Sequence, residues 1–301
     1  MEIIFLGTGS MFPTEKRAHP GVFVRDEKIN FLLDCGENIQ RQMRIAKISP
    51  TKIDCIFITH WHGDHTLGLA GVIQSLSANQ RKETLEIYGP KDTKKKINNL
   101  LKVFSFDLKY KIKVNEINLK KGKIKKIKEN EDFYFEAIGV EHGIPCINYN
   151  FIRKGNVKIN LEYTKKFGLS KHPLLGKLQK GKTITYKNKK ITPEKATYKK
   201  PDKKLTYITD TKYFKELKNF AKNSDILIAE STFSGELKEK ASKYKHMTFL
   251  EGAKIAKESK SKKLVLTHFS QRYSDLKNLK KEVKKIFSNT YIAEDFKKFK
   301  I

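Results

Sequence analysis

The amino-acid sequence predicts an α/β fold, on two observations. Short β-prone runs recur and end in a polar residue with chemistry to offer, and helical periodicities lie between them. Four runs show the pattern: Ile53 to Thr59 into His60, Leu205 to Thr209 into Asp210, Ile226 to Ala229 into Glu230, and Leu264 to Thr267 into His268. Buried strands with functional groups at their carboxyl ends are what α/β architectures offer. A third observation marks an insertion: residues 151–204 hold 17 lysines and arginines against 3 acidic residues, a density of positive charge about four times that of the rest of the chain.

The remaining elements follow in order. Glu2 to Leu6 reads as a strand that runs into Gly7-Thr8-Gly9-Ser10. Phe31 to Asp34 is a buried strand, followed by a helix from Glu37 to about Ile45, and Leu67 to Leu76 is an apolar helix. Asp92 to Phe104 places Ile97, Leu100, Leu101 and Phe104 at helical spacing, with Pro90 just ahead. Phe133 to Val140 is strand-like, and Leu276 to Phe287 is the clearest late helix, with Leu276, Leu279, Val283, Ile286 and Phe287 on one face. The segment 151–204 has few aliphatic runs and carries Gly155, Gly168, Gly176, Gly181, Pro173, Pro193 and Pro201. It reads as an arm inserted into a single domain spanning residues 1–301 and protruding from it.

Composition narrows the function. The chain of 301 residues is 38% hydrophobic and 32% charged, with a net charge of +30. Self-repulsion at that level usually accompanies a polyanionic partner. A lysine-rich compositional bias would raise the average, but it would not make the charge uneven. Three cysteines, Cys35, Cys55 and Cys146, with no C-x-x-C, argue against a disulfide framework and suit a reducing cytosol as buried small side chains. The N-terminus has no basic segment leading into a long apolar one, and no apolar run approaches the ~20 residues that span a bilayer. The expectation is a soluble, cytoplasmic protein with no membrane partner.

The densest chemistry is Thr59-His60-Trp61-His62-Gly63-Asp64-His65. His60 and His62, two apart on an extended segment, point the same way and can reach one ion, while Asp64 and His65, past a glycine, can face a second. Imidazole and carboxylate are the ligands of open, catalytic zinc sites. His142, Asp210 and His268 each read alone as ordinary loop residues; together they sit at strand ends, as His60 does, which favours a shared edge. Two cations about 3.5–4 Å apart would suit phosphodiester, ester or amide hydrolysis. His246 precedes Thr248, a candidate helix N-cap, and could serve as a general acid oriented by Glu230; a surface histidine is the alternative. His19 and His172 fall in loops and are assigned to no site.

These residues resemble the metallo-β-lactamase superfamily and, within it, the tRNA 3′-processing endoribonucleases, RNase Z. The likeness rests on Met1 to Gly9, on Leu33-Asp34-Cys35-Gly36-Glu37 with Gln40 and Arg41, on the His60–His65 motif, and on the surroundings of His142, Asp210, His246, His268 and Ala293-Glu294-Asp295-Phe296. It implies a four-layer αββα sandwich with a protruding basic arm, a homodimer in which one subunit's arm serves the other's site, and two zinc ions per subunit. His60, His62 and His142 would bind one ion and Asp64, His65 and His268 the other, with Asp210 bridging. Asp64 would help accept the proton of the water, and His246, held by Glu230, would protonate the departing 3′ oxygen. The arm would clamp precursor tRNA, which would keep a 3′-hydroxyl while the trailer keeps a 5′-phosphate.

The chain departs from the family's pattern in three places. His172-Pro173 stands where the arm tip often has Gly-Pro, Ala229 stands where a histidine commonly precedes the glutamate, and Pro13 to Ala18 matches only in part the loop linked to reading of the trailer. Two other readings compete. A small-molecule phosphodiesterase or thioesterase of the same superfamily would keep the metals but has no use for the basic segment. A nucleic-acid-binding protein with a degenerate site would not retain the full set of ligands.

Overall fold

A computed structural model describes residues 1–301. Two seven-stranded sheets dominate it. The first runs, edge to edge, Lys298–Lys300, Glu2–Gly7, Gly21–Arg25, Asn30–Leu33, Cys55–Phe57, Leu85–Pro90 and Ile112–Ile117. Its first four strands pair antiparallel and its last four parallel. The second runs Thr290–Ile292, Leu264–Thr267, Ile226–Glu230, Lys203–Ile208, Ile147–Arg153, Phe133–Gly139 and Ile124–Glu129. Within it Leu205 pairs with Ile226, Leu227 with Leu264 and Leu264 with Thr290, all in parallel, so these strands end at one edge.

Strand alternation divides the side chains between two faces. Ile4, Leu6, Phe23, Leu32 and Ile56 of the first sheet pack with Ile39 and Met43 of the helix Ile39–Ile45 and with Val72 and Leu76 of the helix Leu69–Ala78. Phe31 and Phe57 turn the other way and meet Phe135 of the second sheet, with ring centroids 5.0 and 4.4 Å apart. The helix Phe249–Glu258 packs on the second sheet. Its Gly252 permits close approach, since a Cβ there would stand 3.3 Å from Leu266 and 3.5 Å from Ala229. The layers are helix, sheet, sheet, helix. No helix is long and apolar enough to cross a membrane.

By internal packing the chain divides into two units, Met1–Glu129 with Phe135–Phe151 and Lys204–Ile301, and Asn130–Tyr134 with Ile152–Lys203. The second has a small core of Leu169, Leu178, Ile184, Ile191 and Ala196. Its strand pairs are Val157–Ile159 with Thr197–Lys199, and Ile184–Tyr186 with Lys189–Ile191. The latter hairpin turns at Lys187 and Asn188, whose φ of 48° and 56° supply the left-handed pair that a two-residue turn requires. These core residues come singly from short elements, so no aliphatic run announces them.

Several expected elements shift. The helix expected from Glu37 starts at Ile39, because Asn38 is left-handed (φ 67°). The apolar helix expected from Leu67 to Leu76 is Leu69–Ala78, and that expected from Asp92 to Phe104 is Thr93–Val103. The run into His60 is a strand only at Cys55–Phe57. The late helix is Lys277–Ile286, with Val283 its one fully buried side chain. Gly21–Arg25, Leu85–Pro90, Ile112–Ile117, Ile124–Glu129 and Ile147–Arg153 are strands that the pattern did not predict.

Candidate metal centre

Most of the functional side chains stand just past the end of a strand. The chain leaving Cys55–Phe57 carries His60 and His62, and the short helix Gly63–Thr66 carries Asp64 and His65. His142 follows Phe133–Gly139, Asp210 follows Lys203–Ile208, and His268 follows Leu264–Thr267. Asp34, Asp210 and His268 have φ of 56°, 42° and 61°, backbone that L-residues adopt at a cost and that here re-aims the side chain at the strand's end.

All seven candidate ligands converge. His62 Nδ1 lies 3.0 Å from His60 Nε2 and 3.2 Å from His142 Nε2. His65 Nε2 lies 3.2 Å from His268 Nε2 and 3.5 Å from the Asp64 carboxylate. Asp210 stands between the two sets. Its Oδ2 is 3.6 Å from His60 Nε2 and 3.9 Å from His142 Nε2, and its Oδ1 is 3.2 Å from His268 Nε2 and 3.5 Å from His65 Nε2.

The outer nitrogens of four of these rings, those of His60, His65, His142 and His268, are occupied. Thr59 Oγ1 donates to Asp34, which leaves it to accept from His60 Nδ1 at 3.0 Å. Thr232 Oγ1 donates to Glu230 at 2.6 Å and accepts from His268 Nδ1 at 2.8 Å. His65 Nδ1 donates to Asp34 Oδ2 at 2.9 Å, and His142 Nδ1 to the Lys245 carbonyl at 3.2 Å. The Nε2 atoms of these four rings and Nδ1 of His62 therefore face one another and the carboxylates. That donor set fits divalent transition-metal ions, with the outer contacts fixing tautomer and orientation.

Burial pushes His60, His62 and His142 below the usual histidine value, toward the neutral form that ligates a metal. Burial alone would lower His65 too, yet Asp210, Asp64 and Asp34 outweigh it and raise it to about 10. The negative charge responsible is charge that a cation would neutralise.

His246 stands beside this centre, its ring 5.2 Å from that of His142. Its Nδ1 lies 3.0 Å from Glu230 Oε2, and burial, which would lower it, loses to Glu230 and Asp210, which push it up to about 9. Glu230 is fixed in turn by the Thr211 N–H at 2.7 Å and by Thr232.

Sequence reasoning missed the residues behind the ligands. Asp34 is a buried hub that binds the Thr59 N–H, the Thr59 hydroxyl, His65 and the Tyr207 hydroxyl. Its signal was visible, since it ends a buried strand as His60, Asp210 and His268 do. His19, assigned to no site, is buried and lines the same cleft of about 490 Å³ as His62 and Asp64. Its Nε2 lies 3.1 Å from the Met11 carbonyl, and the Met11 N–H donates to Asp64 at 2.9 Å. His172 lies in the second unit, its ring 5.2 Å from that of Tyr186.

The fold and the histidine–aspartate centre define a hydrolase of the metallo-β-lactamase type. Residues 1–149 match the family model of the anti-Pycsar protein Apyc1. Over 302 residues the chain is 40% identical to a ribonuclease Z of Archaeoglobus fulgidus, covering 98% of this chain and 96% of that one. A ribonuclease Z of Nanoarchaeum equitans is 39% identical over 90% of this chain and 84% of its own. Among solved structures, the short form of human tRNase Z superposes with a TM-score of 0.74 at 25% identity, over 100% of this chain and 99% of that one. The metallo-β-lactamase fold protein YhfI of Bacillus subtilis superposes with a TM-score of 0.69 at 19% identity, over 99% and 98% of the two chains. The chain belongs to the ribonuclease Z family, and it is an endoribonuclease.

Proposed function

We propose that this endoribonuclease removes the 3′ trailer of precursor tRNA, leaving a 3′-hydroxyl on the tRNA and a 5′-phosphate on the trailer. The observation that carries the reading is Asp210, whose two oxygens address two separate sets of ligands. His60, His62 and His142 would hold one zinc ion, Asp64, His65 and His268 a second, and Asp210 both. Such a pair supplies, when bound, Lewis-acid stabilisation of the phosphoryl oxygens and acidification of water. Asp64 accepts the proton of the attacking water. His246 spends its Nδ1 on Glu230, which leaves Nε2 to give a proton to the departing 3′ oxygen. Asp34, touching no substrate, keeps His65 and Thr59 in place.

The substrate class comes from the relatives' names and from the charge. The segment 151–204 is the proposed arm, gripping the tRNA body through its phosphates and A-form shape. The protein would act as a cytoplasmic homodimer, one subunit's arm serving the other's site. The test is incubation with a 3′-extended tRNA transcript, with and without chelator, and mapping of the product ends. Cleavage at the trailer junction that chelator abolishes is expected. Chelator-resistant cleavage, or ends elsewhere in the tRNA, would overturn the reading.

A further inference from the structure

The catalytic cleft is the first of three that adjoin. His19 lines it and also a neighbouring cleft of about 420 Å³, and Arg41 lines that one and a third of about 530 Å³. The middle cleft mixes Lys16, Arg17 and Arg41 with Glu15, Glu37 and Asp295. The third is different: Arg41, Arg44 and Lys47 face it, and no carboxylate lines it. All three side chains are exposed, and none has a hydrogen-bond or ion-pair partner. In a chain of net charge +30 a lone lysine means little; three unpaired cations around one cavity without an acid form an anion site.

We infer that the 3′ trailer, as single-stranded RNA, runs from the metal centre past His19 into this third cleft, where Arg41, Arg44 and Lys47 neutralise its phosphates. The inference rests on the function proposed above, which sets the direction. The tRNA 3′ oxygen departs at His246, which stands against Glu230 and His142. The trailer stays on the phosphate as that oxygen departs, and the part of the cleft that leads on to the neighbouring one is lined by His19, which contacts Met11, while Met11 binds Asp64. Phe12, half exposed in the same cleft, offers a stacking face to the first trailer base. Continuity through shared residues suits a polymer rather than a small free anion. Arg44 also lies in the last turn of Ile39–Ile45, where a cation favours the helix dipole, so the role needs a test that a capping charge would not pass.

That test is the Arg44→Gln, Lys47→Gln double variant, assayed on one precursor tRNA carrying a trailer of about ten nucleotides or of a single nucleotide. The long-trailer substrate should show KM raised about tenfold, kcat unchanged, and a salt dependence shallower by about 1.4 in log–log slope, 0.7 for each single-strand phosphate no longer neutralised. The short-trailer substrate should behave as with the wild type. Equal rises in KM for both substrates, or none for either, overturn the path. Fluorescence anisotropy of a labelled ten-nucleotide single-stranded RNA gives a readout independent of tRNA cleavage. The variant should bind it more weakly, and an equal loss for a labelled mononucleotide would make the cleft a small-anion site instead. If wild-type enzyme cuts neither precursor, the tRNA assignment fails, while anisotropy still decides the cleft.

Discussion

His246 contributes nothing unless the leaving oxygen needs a proton, and that condition can be varied. Its Nδ1 is committed to Glu230, which is pinned by Thr211 and Thr232. His246→Ala should slow cleavage of precursor tRNA by about 100- to 10,000-fold, the usual worth of a positioned general acid. It should barely change hydrolysis of a diester that expels p-nitrophenolate, which departs without protonation. An equal loss on both substrates would mean that His246 shapes the centre rather than donating. His62, Asp64 and His65 were legible from the motif that His60 opens, and His142, Asp210 and His268 only together, because each follows a strand-like run as His60 does. Asp34 closes such a run too, yet it faces Thr59, His65 and Tyr207 rather than the cleft. No residue type distinguishes a carboxylate that ligates from one that orients a ligand.

Elements hold these residues through their ends. Thr248 opens Phe249–Glu258 with a capping box: its hydroxyl accepts from the Glu251 N–H at 3.3 Å, and Glu251 accepts from the Thr248 N–H at 2.8 Å. The sequence named Thr248 as the cap, since a hydroxyl residue before an apolar periodic run carries that signal. Thr248→Ala should cost about 1 kcal/mol, lowering Tm by about 2 °C in calorimetry. An unchanged Tm would show that the box carries no stability. Strands were less legible where lysine interrupts them. Ile124–Glu129 carries three lysines and has no fully buried position, and Ile147–Arg153 is buried at its first six positions, so neither shows the two-residue rhythm of a half-buried strand. Ile124–Glu129 lies beside the next strand, Phe133–Gly139, and Ile147–Arg153 lies between that strand and Lys203–Ile208, and pairing rather than propensity makes them strands.

At the scale of the whole molecule, the second unit holds its own small core, so its surface lysines can be changed without disturbing the centre. If this unit is the tRNA clamp, replacing exposed Lys177, Lys180, Lys182 and Lys190 with Gln should weaken precursor binding and flatten its salt dependence by about 1 in slope for each phosphate left without a cation. Turnover at saturating substrate should hold, and binding that keeps its wild-type salt slope would refute the clamp. Charge density made the segment visible, whereas its fold was not, because Leu169, Leu178, Ile184, Ile191 and Ala196 are scattered among polar neighbours.

The pairing of Lys298–Lys300 with Glu2–Gly7, reinforced by the Met1 amine on the Ile301 carbonyl, reaches beyond the finished fold. A ribosome releases residue 2 some three hundred residues before residue 300. Throughout that interval the nascent first strand shows one bare edge of amides and carbonyls, a template on which any other emerging strand can add. The first sheet is thus the last to close, and the hazard of mispairing during synthesis falls on Glu2–Gly7, which waits longest for its partner.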